Sequence, residues 1–243
     1  MSEAAAREAE VRAAIAEVRD PEIDETVAAL HFIVAVRVDG DNVSVTLRLP
    51  TFWCPANFAF LMGGDIRDAV MALPWAGQFK FELVDHFAAD EISRGVSEGR
   101  SFARAFPREA VTDLGDLRRS FDRKAFLMRQ AALIDLMRRE GFADDFLSSV
   151  NVAALKELTV PGTDARERVR DYLEKRRAIG LDCADGSRAI TTAEGEAIEA
   201  RSLAGHLRDA RRITMSARSN GEMCRILMAS READPSRPVT PCR

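Results

Sequence analysis

Two runs of alternating apolar residues around a short polar turn constrain the fold of this chain more than any other feature. Apolar side chains occupy every second position from Phe32 to Val38 and again from Val43 to Leu49. The intervening "DGDN", residues 39–42, has the composition of a tight turn. Because successive side chains of a strand point to opposite faces, the pattern predicts an antiparallel hairpin with one buried face.

The segments on either side of this hairpin predict the layer that covers it. Apolar residues recur at helical spacing before the hairpin and after it, and a further alternating run, "FKFELVDH", follows the second helix. The Gly63-Gly64 pair inside the second helix removes side chains and would allow close packing there. The order α-β-β-α-β predicts an α+β domain with helices on one face of a small sheet. The predicted elements are helix 4–19, the hairpin, helix 56–73 and strand 79–86.

The rest of the chain reads as a second, mainly helical domain. The first 90 residues carry a net charge of −8 and the remaining residues carry +4, which supports a boundary near residue 90. An Asn-Gly pair at 220–221 between apolar runs predicts one late hairpin. Helices are predicted at 117–139, 164–179 and 193–210. The predicted organisation is an α+β domain at 1–90, a linker at 91–115, a helical partner-binding domain at 116–230 and a flexible tail at 231–243.

Composition and motifs exclude several classes of function. Neither part has the basic excess typical of nucleic-acid binding. No apolar run approaches the ~18 residues of a membrane span, and the acidic N-terminus does not resemble a signal peptide. We therefore expect a cytoplasmic protein with free thiols, binding neither nucleic acid nor membrane. No catalytic or phosphate-binding motif is present, so we expect no enzymatic activity.

One cysteine lies where the second strand of the hairpin meets the following helix. Pro55 suits the first position of a helix, which would make Cys54 the N-cap residue. Unpaired backbone N–H groups and the helix dipole at that position favour a thiolate, the form that attacks electrophiles and binds soft metals. The alternative from spacing alone is a small apolar residue that fills a gap.

The motifs around this cysteine resemble those of a known family. "DPE" at residues 20–22 follows the first helix, the hairpin comes next, and Thr51 lies three residues before Cys54-Pro55. This order is similar to that of the small iron–sulfur cluster assembly domains that include the bacterial SufT and PaaD proteins. The resemblance covers roughly residues 8–90.

The resemblance implies a non-catalytic maturation factor that helps to insert iron or an iron–sulfur cluster into a client metalloenzyme, multicomponent oxygenases included. Cys54 would be the functional thiol and the metal ligand, with transient iron or cluster as its cargo. Asp20, Glu22, Thr51 and Pro55 would support it. The partners would be the client or other cluster-assembly proteins, and a homodimer remains open.

The sequence departs from the family pattern at two places. "AALHF", residues 28–32, stands where the family usually has an Asp-Leu-Gly-like segment, and Trp53 stands where it usually has Gly. These departures leave open an adaptor, a chaperone-like interaction module that does not handle metal. Trp53 and Trp75 are the aromatic residues we expect at a partner surface.

Other chemistry remains open at this stage. A thiol enzyme would need a base near Cys54, for which His31 and His86 are the candidates. Nothing in the spacing of the remaining thiols, Cys183, Cys224 and Cys242, argues for a four-cysteine metal site.

Overall fold

The computed structural model describes residues 3–107, 114–159 and 164–233. The chain forms two compact units, one of Met1–Asp116 together with Ser219–Arg243, and one of Leu117–Arg218. The first unit is therefore built from both ends of the sequence. Its elements before residue 117 are α1 Glu3–Ile15, β1 Ile33–Asp39, β2 Asn42–Arg48, α2 Ala56–Met71, β3 Gln78–Val84, α3 Ala89–Ser97 and α4 Phe102–Ala105.

The sheet of the first unit has the strand order β1-β2-β3 and confirms the predicted hairpin. β1 and β2 are antiparallel, with Asp39 opposite Asn42 across the turn, whereas β2 and β3 are parallel and connected through α2. A register shift between Ile33 and Ala35 interrupts the alternation in β1. It leaves Val34 exposed. Because β2 and β3 run in the same direction, the chain leaves both strands at the same edge of the sheet.

One face of the sheet forms the core together with α1, α2 and α3, as the predicted α+β class requires. The predicted close packing at the glycine pair is confirmed for Gly63 alone. A Cβ atom there would lie 3.0 Å from the Phe81 ring and 3.0 Å from Val96, whereas one on Gly64 would meet nothing within 4 Å. Gly63 therefore allows α2 to lie close to β3 and α3. The buried core side chains of the sheet are Val36, Val43, Val45, Leu47, Phe79, Phe81 and Leu83.

The prediction of a linker from residue 91 is wrong for the first part of that segment. Residues 89–97 form α3, whose Ile92 and Val96 are buried in the core. Ser93 and Ser97 accept hydrogen bonds from backbone N–H groups of β3. The helix is short, and its apolar face has too few residues to give a sustained period. Residues 108–113 of the predicted linker lie outside the described residues.

The second unit is mainly helical among its described residues, as predicted. Two predicted helices, 117–139 and 164–179, are confirmed, with Gly141 and Gly180 in the left-handed conformation just after each. The helices of this part of the chain are α5 Gly115–Arg139, α6 Asp144–Ser149, α7 Val152–Lys156 and α8 Ala165–Ala178, followed by α9 Ala200–Ala233.

The predicted late hairpin is wrong, because α9 is one continuous helix from Ala200 to Ala233. It begins later than the predicted 193–210 helix and passes straight through Asn220-Gly221. Met215 and Ile226, which would pair in a hairpin, are instead 69% and 58% exposed. The buried residues Ala217, Gly221 and Met228 recur at intervals of four and seven residues, which is the spacing of one helical face. Residues 231–233 of the predicted tail are also helical, and the remainder, with Cys242, lies outside the described residues.

No helix among the described residues is long and apolar enough to cross a membrane.

Candidate functional site

The predicted functional cysteine lies in the loop that connects β2 to α2. Pro55 has a ψ of 127°, so it is not yet helical, and its carbonyl accepts hydrogen bonds from Phe58 and Ala59. Pro55 is therefore the N-cap of α2. Cys54, which was predicted to be the N-cap, is the residue before it. Its immediate hydrogen-bonding environment is the loop and not the free N–H groups of the helix.

The loop holds the half-buried Cys54 side chain against the apolar core while leaving part of it accessible. Sγ of Cys54 lies 3.3 Å from Oγ1 of Thr51, within hydrogen-bond distance for sulfur. The backbone N–H of Cys54 also donates to the Thr51 carbonyl. Thr51 thus contacts the thiol directly, and its hydroxyl can donate a hydrogen bond to the sulfur once the thiol has lost its proton.

His86, at the end of β3, fixes the other side of this loop. The Ala88 N–H donates to Nδ1 of His86, so Nε2 carries the proton and donates to the Cys54 carbonyl over 2.7 Å. Burial lowers the pKa of His86, and the hydrogen bond to that carbonyl acts in the opposite direction. Because both nitrogens of this neutral imidazole are hydrogen-bonded to backbone groups, His86 stabilises the loop and is not a base for the thiol. The other candidate base, His31, is exposed in the turn before β1, at a φ of 59°.

Asp20 organises the loop of the "DPE" motif. Its carboxylate accepts hydrogen bonds from the backbone N–H groups of Glu22 and Ile23, both over 2.9 Å. The side chain is only 6% exposed, and this burial raises its pKa to about 6 against the two hydrogen bonds, which lower it. Asp20 therefore shapes the loop that carries Glu22.

Trp53 belongs to an exposed aromatic patch, which we define as Phe52, Trp53 and Phe87. The Trp53 ring stacks on Phe87 with centroids 5.6 Å apart and meets the edge of Phe52 at 4.9 Å. Trp53, the residue before Cys54, is 55% exposed, and Phe87 is 45% exposed. Aromatic rings that face water next to a candidate thiol are typical of a partner-binding surface.

The structure does not bring Trp75 to this patch. Its Nε1–H donates to Glu10 of α1 over 2.7 Å, and the Arg7 guanidinium lies 4.9 Å from its ring centroid. These contacts and its partial burial against the core attach α1 to the segment after α2. A role of Trp75 at a partner surface remains a prediction.

Phe87 was missed in the sequence, although a signal for it existed. Parallel β2 and β3 end at the same edge of the sheet, so the residues after each strand must lie close together. The Phe87 N–H donates to the Phe52 carbonyl over 3.1 Å, which aligns the two segments.

The sequence also gave no indication that the end of α9 belongs to this site. The Arg231 guanidinium donates to the carbonyl of Leu49 at the end of β2, and Arg225 forms an ion pair with Glu25. Met228 is buried in the core of the first unit. Burial raises the pKa of Cys224, on the same helical face, to about 11, and the negative charges of Asp20 and Glu22 act in the same direction. The end of α9 therefore contacts the segments on both sides of β1 and β2 from the far end of the chain.

Nothing among the described residues forms a ready-made metal site. No three His, Cys, Asp or Glu side chains in that part of the chain converge so that they could hold a metal ion. Cys183 belongs to the second unit, where its thiol donates to the Leu181 carbonyl.

The comparison with known proteins agrees with the motifs. Residues 8–80 match the family described as iron-sulfur cluster assembly protein, a segment that runs from within α1 to the start of β3. No curated protein and no solved structure matches the chain. The resemblance expected from the "DPE" and Thr-x-x-Cys-Pro motifs is thus confirmed over these residues. The N-terminal part of this chain is similar to the iron–sulfur cluster assembly protein family, and the match supports a general role in cluster assembly.

Proposed function

We propose that this protein is a non-catalytic maturation factor that helps to insert iron or an iron–sulfur cluster into a client metalloenzyme. The observation that carries the proposal is the position of Cys54 within the matched family segment, half-buried and beside exposed aromatic rings. A soft thiolate binds iron, and partial exposure allows the cargo to enter and leave.

The loop around Cys54 suits transfer better than storage. Thr51 and His86 fix the thiol side chain and its backbone, so the sulfur is presented in one place. Iron in such clusters takes four ligands, and this loop supplies one. The remaining positions are therefore free for ligands of a donor or a client. His86 is occupied by backbone groups, which supports a role without acid–base catalysis at the thiol.

The client recognises the aromatic patch in this proposal. Phe52, Trp53 and Phe87 give a rigid apolar surface next to the thiol, and aromatic residues dominate the binding energy of many interfaces. The client class we propose is a metal-dependent oxygenase. The second, mainly helical unit adds further client contacts.

The test replaces the gene in its native host with a Cys54→Ser variant and measures the iron content of candidate clients. We expect client iron and client activity to fall with the variant, and to fall likewise when the gene is deleted. Trp53→Ala should weaken client capture while the purified protein still binds iron. Client iron that is unchanged by Cys54→Ser would reject the proposal.

The second candidate is an adaptor that binds the client without handling metal. It is favoured by the aromatic patch together with the lack, among the described residues, of three converging metal ligands. For an adaptor, Cys54→Ser should leave client capture and client activity at wild-type levels, and Trp53→Ala alone should abolish both.

A further inference from the structure

A groove on the surface of the second unit lies along α8. Its cavity volume is about 460 Å³, within the range of known binding sites. Lys156 at the end of α7 contributes to the lining, and α8 supplies residues at three- and four-residue steps, which place them on one helical face. The α8 residues are Arg166, Val169, Arg170, Leu173, Glu174 and Arg177. The groove therefore follows the helix for about three turns.

The lining of this groove is basic. Among its described residues, four are basic and one is acidic. Lys156 and Arg170 already form ion pairs with aspartates of the same unit. The exposed side chains of Arg166 and Arg177 have no ion-pair partner among the described residues. Their guanidinium groups are therefore available to bind carboxylates, which they match with two parallel hydrogen bonds.

The floor of the groove is apolar. Val169 and Leu173, 4% and 7% exposed, lie on the same helical face as the basic side chains. An apolar side chain of an occupant would be withdrawn from water there. A nucleic-acid backbone carries a charge at every step, so it matches such a floor poorly, and the Glu174 carboxylate repels it.

The spacing of the two unpaired arginines favours an elongated occupant. Arg166 and Arg177 are eleven residues apart, which is about 16 Å along the helix and nearly the same direction around it. An elongated ligand can pair with both guanidinium groups at once. A single phosphate between them would require both long side chains to fold inward over the floor.

The geometry points to the α8 groove as a docking site for an acidic segment of a partner protein, with acidic residues toward both ends and apolar residues between them. Carboxylates of the segment pair with Arg166 and Arg177, and its apolar side chains cover Val169 and Leu173. The inference goes beyond the proposed function and does not depend on iron at Cys54, because the groove lies within the second unit.

The test measures binding of a model peptide to the full-length chain by fluorescence anisotropy. The probe is a fluorescein-labelled helical peptide of about 16 residues that carries two glutamates eleven residues apart and two leucines between them. We expect it to bind wild type and to bind less tightly as salt is raised. Replacing its glutamates by glutamine should abolish binding, and replacing its leucines by serine should weaken it.

Charge reversal in the groove identifies the site. Arg166→Glu and Arg177→Glu should each weaken binding of the peptide about tenfold or more. The matched control is Arg208→Glu, which reverses an exposed arginine of α9 in the same unit outside the groove and should bind as wild type does. All three positions are exposed, so the variants should keep the fold, which circular dichroism checks.

Three results would overturn the inference. The first is that wild type does not bind the peptide, or that Arg166→Glu and Arg177→Glu bind it as wild type does. The second is that single-stranded RNA binds more tightly than the peptide and is lost in the same variants, which would make the groove a nucleic-acid site. The third is self-association of the chain that Arg166→Glu abolishes, which would assign the groove to a second copy.

Discussion

The buried carboxyl of Asp20 makes stability depend on pH in a direction that can be measured. Burial raises its pKa from the usual 3.8 to about 6. The folded protein therefore binds the proton more tightly than the unfolded chain between these two values. Stability is highest where the carboxyl is protonated and falls as the pH rises through this window. At about 1.4 kcal/mol per pH unit, the full loss is about 3 kcal/mol in the free energy of unfolding.

Asp20→Asn isolates this effect. The amide oxygen can still accept the hydrogen bonds from Glu22 and Ile23, but it carries no charge to desolvate. Urea unfolding of wild type and variant from about pH 4 to about pH 7 should show wild type losing about 2 to 3 kcal/mol relative to the variant. Glu91→Gln, which removes an exposed carboxylate, is the matched control and should track wild type. A difference between Asp20→Asn and wild type that stays constant with pH would refute the reasoning.

Four further substitutions test contacts within each of the two units. Gly63→Val places methyl groups against the Phe81 ring and Val96 and should lower the melting temperature, whereas Gly64→Ala should raise it slightly, since alanine favours helix by about 1 kcal/mol. His86→Ala removes two hydrogen bonds and should cost about 1 kcal/mol each and speed alkylation of the adjacent thiol; unchanged alkylation would show that His86 does not restrain the loop. Tyr172→Phe removes the 2.6 Å hydrogen bond to the Ala189 carbonyl, which keeps its Arg176 donor, and takes one acceptor from the buried Gln130 amide; it should cost about 1–3 kcal/mol in urea unfolding.

The sequence predicted the first unit well because its signals are local. Alternation of apolar residues determines which face of β1 and β2 is buried, and the Asp-Gly turn fixes the hairpin register. The motifs could be recognised because Asp20 and Thr51 form hydrogen bonds within three residues of their own positions. The N-cap was misplaced by one residue, since composition favours Pro55 at either position while only its ψ decides between them.

The errors arise where tertiary contacts decide the local structure. Asn220-Gly221 is a strong turn signal in isolation, but the glycine serves here to let α9 pass close to Glu25. The end of α9 belongs to the first unit through contacts such as that of Arg231 with Leu49, 182 residues apart, and no local pattern encodes such a contact. The apolar residues Ala217, Cys224 and Met228 recur at steps of seven and four, which is also the spacing of one helical face. This pattern predicts a continuous helix in place of the hairpin.

The central claim is that Cys54 transfers iron or a cluster to a client. The rate at which an apo acceptor enzyme is activated tests this claim most directly. The acceptor is the apo form of the enzyme whose iron content falls when the gene is deleted. Reconstituted wild-type protein should activate this acceptor faster than the same amounts of free iron and sulfide, and Cys54→Ser should give only the rate of the free reagents. Equal activation by wild type and Cys54→Ser would contradict the account.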